Sequence, residues 1–203
     1  MVDERTYRVL KYVAAAMVLG WVAWSFYDGF VRSRSAETIA LEAAHKAFAD
    51  GHYEDARAGY REILDGAPGN RTLRLDARRG LARTLMQLER YDAALRQFDR
   101  AIEADPDFGA AYANRGILYD RMGRYEKAIA DYRRALELDP GLDEGPGWLT
   151  RFLRNQAEQP PTIGDRAEYL AAQLAKPPDE RLLRVPEEDA KQRSYRTEKS
   201  VEE

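Results

Sequence analysis

The feature that most constrains this chain is an internal repeat. Pro68, Pro106 and Pro140 stand at spacings of 38 and 34 residues, and the same pattern of small and aromatic residues precedes each. Tyr53, Tyr91 and Tyr125 lie 15 residues before their prolines, Ala56, Ala94 and Ala128 lie 12 before, and Tyr60, Phe98 and Tyr132 lie 8 before. Further back, Ala44, Ala82 and Gly116 align, as do Ala47, Leu85 and Tyr119. A period of this size signals stacked supersecondary units. One helix pair cannot bury its apolar stripe alone, so successive pairs must share a core. The residue types fit helices. Small residues at Ala44, Ala82 and Gly116 let a neighbouring helix approach to about 8–10 Å. Tyr60, Phe98 and Tyr132 are the right size to fill the wedge between pairs. Gly51 and Gly123 can take positive φ where the first helix of a pair ends. Asp105-Pro106 and Asp139-Pro140 stop the second helix, because the residue before proline is pushed out of the α region.

These residues resemble the tetratricopeptide repeat, a helix–turn–helix unit of about 34 residues with the pattern W-x2-L-G-x2-Y…A-x3-F…P. The third unit follows it most closely, as Tyr112-x2-Arg115-Gly116-x2-Tyr119, then Ala128-x3-Tyr132 and Pro140. The second reads Arg78-x2-Leu81-Ala82-x2-Leu85, Ala94-x3-Phe98, Pro106, and the first Ala40-x2-Ala43-Ala44-x2-Ala47, Ala56-x3-Tyr60, Pro68. The resemblance covers residues 37–142, in units 37–70, 75–108 and 109–142. It implies an all-α, right-handed helix-hairpin solenoid. Four extra residues fall within Gly69 to Arg74, as an added helical turn or a longer loop. Arg78 replaces an aromatic residue and Arg115 an apolar one. A guanidinium facing the core needs a partner, since an unpaired buried ion costs several kcal/mol. Either Arg115 snorkels to the edge, or it pairs with an acidic residue such as Asp99 or Glu103 on the preceding helix.

In the family the first helix of each pair lines an inner groove. The matching positions are Leu41, Glu42, His45 and Phe48 in the first unit, Arg79, Arg83, Met86 and Gln87 in the second, and Ala113, Asn114, Ile117 and Arg121 in the third. Arginine can hold a carboxylate in a bidentate fork, and an asparagine amide can bond the backbone of an extended peptide. The expected ligand is therefore a protein or peptide segment, acidic or C-terminal; the alternative is that these arginines form a solvated face. The related clamp that grips chaperone C-termini needs a Lys and an Asn in its first unit. Leu41 and His45 stand there instead, so chaperone docking is not expected.

An apolar stretch precedes the repeats. Val9 to Val31 spans 23 residues, about 34 Å of helix at ~1.5 Å per residue, enough for a hydrocarbon core of about 30 Å. Lys11 can snorkel at one end, and Trp21, Trp24, Phe26 and Tyr27 gather like an interfacial belt at the other. The reading is a transmembrane helix over 9–31 after an N-terminal arm of 1–8, followed by a linker at 32–36. A buried soluble helix would need another apolar layer, and a cleaved signal a small-residue cleavage site. Three basic residues lie on each side, so orientation rests on the short arm, which places the N-terminus in the cytoplasm and the repeats outside. An anchor before three such units resembles bacterial inner-membrane repeat proteins.

After Pro140 the repeat is lost. Trp148, Leu149, Phe152 and Leu153 recur at helical spacing after Pro146 and read as a capping helix. A second helix is expected over Asp165 to Lys176, brief packing at Arg181 to Val185, and disorder over the charged residues 186–203. The capping and short helices together occupy 143–185.

Composition narrows the chemistry. There is no cysteine, hence no disulfide, thiolate metal site or cysteine nucleophile. With only His45 and His52, a histidine cage is excluded, and a net charge of −3 gives no case for nucleic acid. No phosphate loop, nucleophile elbow or zinc-protease motif is present. The expectation is no enzyme, no metal, no cofactor and no small-molecule substrate. Two functions remain: a membrane-anchored scaffold that binds a protein or peptide in its groove during assembly or quality control of membrane or envelope proteins, or a permanent structural subunit of a larger membrane complex.

Overall fold

The computed structural model describes residues 4–32, 36–66, 70–145, 161–184 and 194–195, with side chains described from residue 11 to 25 in the first helix. Among the described residues the chain is all-helical: α1 (Glu4–Arg32), α2 (Ala36–Ala49), α3 (Tyr53–Asp65), α4 (Arg71–Gln87), α5 (Tyr91–Ala104), α6 (Gly109–Arg121), α7 (Tyr125–Leu138) and α8 (Ile163–Leu174). Short 3-10 turns follow α7 at Pro140–Asp143 and α8 at Pro178–Glu180.

The helices pair as α2/α3, α4/α5 and α6/α7. Each pair packs on the next through its second helix, and α8 packs on α7. The first helices α2, α4 and α6 are also neighbours, so they form one continuous face. The core is built from the repeated positions: Tyr60, Phe98 and Tyr132 are buried, as are Ala56, Ala94 and Ala128. Tyr60 reaches across to the following pair, where a Cβ on Gly80 would stand 2.4 Å from its ring. Tyr132 lies as closely on Gly116, where a Cβ would meet the ring at 2.6 Å. These two glycines are seats for aromatic rings.

The turn that ends each first helix needs a left-handed residue. Gly51 (φ 81°) and Gly123 (φ 71°) supply it in the outer pairs. In the middle pair the equivalent place is held by Glu89 at φ 57°, a conformation that strains a residue with a Cβ. Glu89→Gly is expected to raise the unfolding free energy by up to about 1 kcal/mol, after allowance for glycine's greater freedom in the unfolded chain. Chemical denaturation of the two full chains measures this.

The four extra residues before the second repeat form helix. α4 runs 17 residues against 13 for α6. Asn70 caps it, its side-chain oxygen accepting from the backbone of Thr72 (2.8 Å) and Leu73 (3.4 Å). Arg115 finds Asp99, as expected, at 2.8 Å from Nη1. Its main partner is Asp131, which accepts from Nε and Nη2 at 2.7 and 2.8 Å; Glu103 is not part of this network. Burial works against the Arg115 charge, but the bonds to Asp131 and Asp99 outweigh it and hold the guanidinium firmly protonated.

The transmembrane span expected over 9–31 is not supported. Among the described residues, no helix is long and apolar enough to cross a membrane. The side chains described on α1 run from Lys11 to Ser25. They are exposed, including Tyr12, Met17, Leu19, Trp21 and Trp24.

At the other end, α8 begins at Ile163, two residues before the expected start. Thr162 and Asp165 close a capping box, each side chain bonded to the other's backbone N–H. The stretch expected to cap the solenoid around Trp148, Leu149, Phe152 and Leu153 lies outside the described residues. α8 itself covers α7. Arg166 donates to Asp120 through Nε (2.8 Å) and Nη2 (3.0 Å), and Tyr132 OH donates to the same carboxylate at 3.3 Å. The chain after α8 folds back: Leu182 N–H donates to Gln173 Oε1 at 3.0 Å, Tyr169 OH to Leu182 O at 2.6 Å, and Arg184 Nη2 to Arg121 O at 2.7 Å.

Candidate peptide-binding groove

The face made by α2, α4 and α6 holds the residues proposed from the sequence, but in different roles. Leu41, Met86, Ala113 and Ile117 are buried and belong to the core beneath the face. Glu42 is exposed, and Gln87 and Arg121 are half-buried. His45 is half-buried and lies with its ring 5.5 Å from that of Tyr60. Phe48 packs against Tyr53 at 5.5 Å.

Arg79, expected to face a ligand, is instead fastened between hairpins. It is 1% exposed. Its guanidinium donates to Asp76 at 3.1 Å and to Asp105, and it stacks on Phe108 at 3.8 Å. The loop joining α5 to α6 covers it, so its charge is spent on joining the second and third hairpins. The signal for this is in the sequence: Asp76 one turn earlier on the same helix, and the aspartate that stops the second helix of the pair.

Arg83 and Asn114 do converge on a segment. The Arg83 guanidinium lies over the Phe48 ring at 4.4 Å, and its Nε donates to Ser194 Oγ at 3.3 Å. Asn114, fully buried, bonds the next residue through its backbone alone. Its Oδ1 accepts from Tyr195 N–H at 2.8 Å, and its Nδ2 donates to Tyr195 C=O at 3.1 Å. Nδ2 also donates to Ala110 O at 2.9 Å, one helical turn back. That third bond fixes which end of the amide is nitrogen, so the donor and acceptor stand ready for an extended strand. The Tyr195 phenol reaches past the third hairpin and donates to Leu142 O at 3.0 Å.

Ser194 and Tyr195 fall within the stretch expected to be disordered, residues 186–203, and here they are seated on the inner face, both part-buried. The remainder of that stretch lies outside the described residues. Burial pushes the Tyr195 phenol up to about 12, from an ordinary value near ~10. The neutral phenol is thus the seated form. Its contribution is intact below about pH 10 and is lost as pH rises through about 12. Subtracting the tyrosinate absorbance titration of Tyr195→Phe from that of the wild type should leave one phenol with a midpoint near 12. A midpoint near ~10 would mean that the residue is not seated.

This arrangement belongs to a known class of helical hairpin. Residues 79–143 match the tetratricopeptide repeat family, and the all-helical stack is a solenoid like those built from such repeats. The fold is similar to the solved first TPR of Spaghetti (RPAP3) bound to HSP90 peptide SRMEEVD, with a TM-score of 0.53 and 21% identity over 69% of this chain and 94% of that one. The Arabidopsis OM64 TPR domain aligns with a TM-score of 0.47 and 21% identity over 60% of this chain and 93% of that one. Among curated proteins, the Rhomboid protease GluP of Bacillus subtilis (strain 168) is 24% identical over 109 residues, which is 54% of this chain and 21% of that protein. The chain thus spans about a fifth of that relative's length.

Proposed function

We propose that this chain is a non-enzymatic interaction scaffold that holds an extended protein segment on the face formed by α2, α4 and α6. The observation that carries this reading is the Asn114 amide, pre-set by Ala110 and bonded to both backbone groups of one residue, Tyr195. Backbone recognition of this kind accepts many sequences, and side-chain contacts such as Arg83 select among them. The similar fold solved with the peptide SRMEEVD supports the same mode. The acidic C-terminal ligand of that peptide is not carried over, because Leu41 and His45 replace the cationic and amide groups such a clamp needs, and Arg79 is fastened elsewhere.

An array of extended ten-residue peptides, probed with the full chain, tests this. Bound peptides should lose most of their signal with Asn114→Ala and with Arg83→Glu. A bound set unchanged by both substitutions would overturn the groove reading.

The finer form of the proposal is a scaffold held at a membrane, outside the cytoplasm, for assembly or quality control of membrane or envelope proteins. What supports it is the run of exposed apolar side chains on α1, with Trp21 70% and Trp24 63% exposed. Surfaces of that kind are usually covered by lipid or protein. The same feature favours a permanent subunit, in which α1 is covered by a partner chain. Alkaline extraction of native membranes separates the two. Lipid anchoring retains the full chain in the pellet, whereas a protein-held subunit is released.

A further inference from the structure

We infer that Ser194 and Tyr195 are a built-in competitor for the groove, and that its partner is an extended segment presenting a small hydroxyl residue followed by tyrosine. This rests on the groove reading above and adds both a sequence preference and a control on access.

The seated pair engages both hairpins at once. Ser194 accepts from Arg83 on α4, the Tyr195 backbone donates one bond to Asn114 on α6 and accepts one from it, and the phenol donates to Leu142 O beyond α7. Two adjacent residues therefore bridge the second and third hairpins and the turn that follows them. The backbone bonds would serve any residue. The bonds that discriminate are the serine hydroxyl on Arg83 and the tyrosine hydroxyl on Leu142 O. Phenylalanine in place of the tyrosine would bury the same ring and leave that carbonyl without its donor.

The sequence around the pair points the same way. Tyr195 is the sole aromatic of residues 186–203, a stretch otherwise charged, polar or small apart from Val201. Nothing in such composition forms a core, so the tyrosine has no packing task within its own segment. Its half-burial brings the phenol to Leu142 O, beside Ile163.

Attachment makes this pair a strong competitor even if its intrinsic affinity is low. Arg184 is fixed on Arg121, so only a short stretch separates a docked residue from the groove. A segment tethered in this way acts at an effective concentration of order mM. A partner must exceed that, or arrive tethered itself, before it can displace the pair. Because tail and partner exclude one another, partner binding frees the C-terminal residues, and any modification that frees them opens the groove.

The test uses the full chain and the peptide KQRSYRTEKS added in trans, followed at the backbone amide resonances of α4 and α6. The peptide is titrated to about 10 mM, above the mM range expected for the tethered segment. The Tyr195→Ala chain should bind it at least tenfold more tightly than the wild type. Its Tyr→Phe version should bind more weakly and its Tyr→Ala version not at all. Equal binding to both chains, lost in Asn114→Ala, would overturn the competitor while leaving the groove reading intact. Binding indifferent to Asn114→Ala would overturn both. Absence of binding to the Tyr195→Ala chain would overturn the competitor, since the segment would then have no affinity of its own. In that case the peptide array still decides the groove reading. The altered tyrosine is on the segment rather than in the fold, so that comparison does not depend on a core substitution.

Discussion

Asp120→Ala is expected to detach α8 from the solenoid and to cost about 3–5 kcal/mol. Asp120 is 4% exposed and Arg166 is 9% exposed. Their two-point bond is reinforced by the Tyr132 hydroxyl on the same carboxylate. Removing the acid strips the guanidinium of that two-point bond in a site with little water, where Leu183 O at 3.2 Å does not replace the lost charge. The helix then gains more by leaving than by staying. Hydrogen exchange should show the amides of residues 163–174 losing protection while α4 and α5 keep theirs. The double substitution Asp120→Leu with Arg166→Met should recover much of the loss, because a buried ion pair stabilises little more than well-packed apolar residues of similar volume. Unchanged protection in α8 after Asp120→Ala would show that apolar contacts through Ile163, Ala167 and Leu170 hold the helix without the ion pair.

Phe98→Ala should have an effect of similar size, about 3–5 kcal/mol, and act differently. Phe98 is fully buried in the middle hairpin, at the position that Tyr60 and Tyr132 hold in its neighbours. A ring lost there leaves a void in the core that the hairpins share. In a linear stack each unit is stabilised by its neighbours, so damage at the centre weakens every interface. The expected result is a single transition about 10 °C lower in thermal unfolding, with all three hairpins affected together. A loss below about 1 kcal/mol would place Phe98 outside the shared core.

The repeats were legible because each position carries the same physical demand three times. Ala56, Ala94 and Ala128 must be small, and Tyr60, Phe98 and Tyr132 must be large, so coincidence is averaged out. The same logic found the helix-ending turns, and Glu89 shows that the demand is on the backbone, since the turn forms there even without glycine. Legibility failed where a contact has no period. Arg79 and Arg83 lie one turn apart on α4, and the sequence treats them alike. The loop at Asp105 to Phe108 separates them, by covering one and leaving the other beside Ser194. Asp131 is not legible as the partner of Arg115 because it follows in the arginine's own hairpin, whereas Asp99 and Glu103 lie on the helix before it. The seating of Tyr195 lies 81 residues from Asn114, in a segment whose composition predicts no order. No local signal in such a stretch can announce a non-local docking site. For α1 the difficulty runs the other way. The apolar run reads clearly along the sequence, yet the side chains described on it are exposed.

The central claim is that Asn114 reads the backbone of an extended strand on the inner face, and the Tyr195 amide reports on it directly. In the full chain, exchange of the Tyr195 N–H should be slowed at least tenfold relative to an unstructured peptide of the same sequence, and Asn114→Ala should abolish that protection. Exchange at the unstructured rate in the wild type, or protection that survives Asn114→Ala, would contradict it.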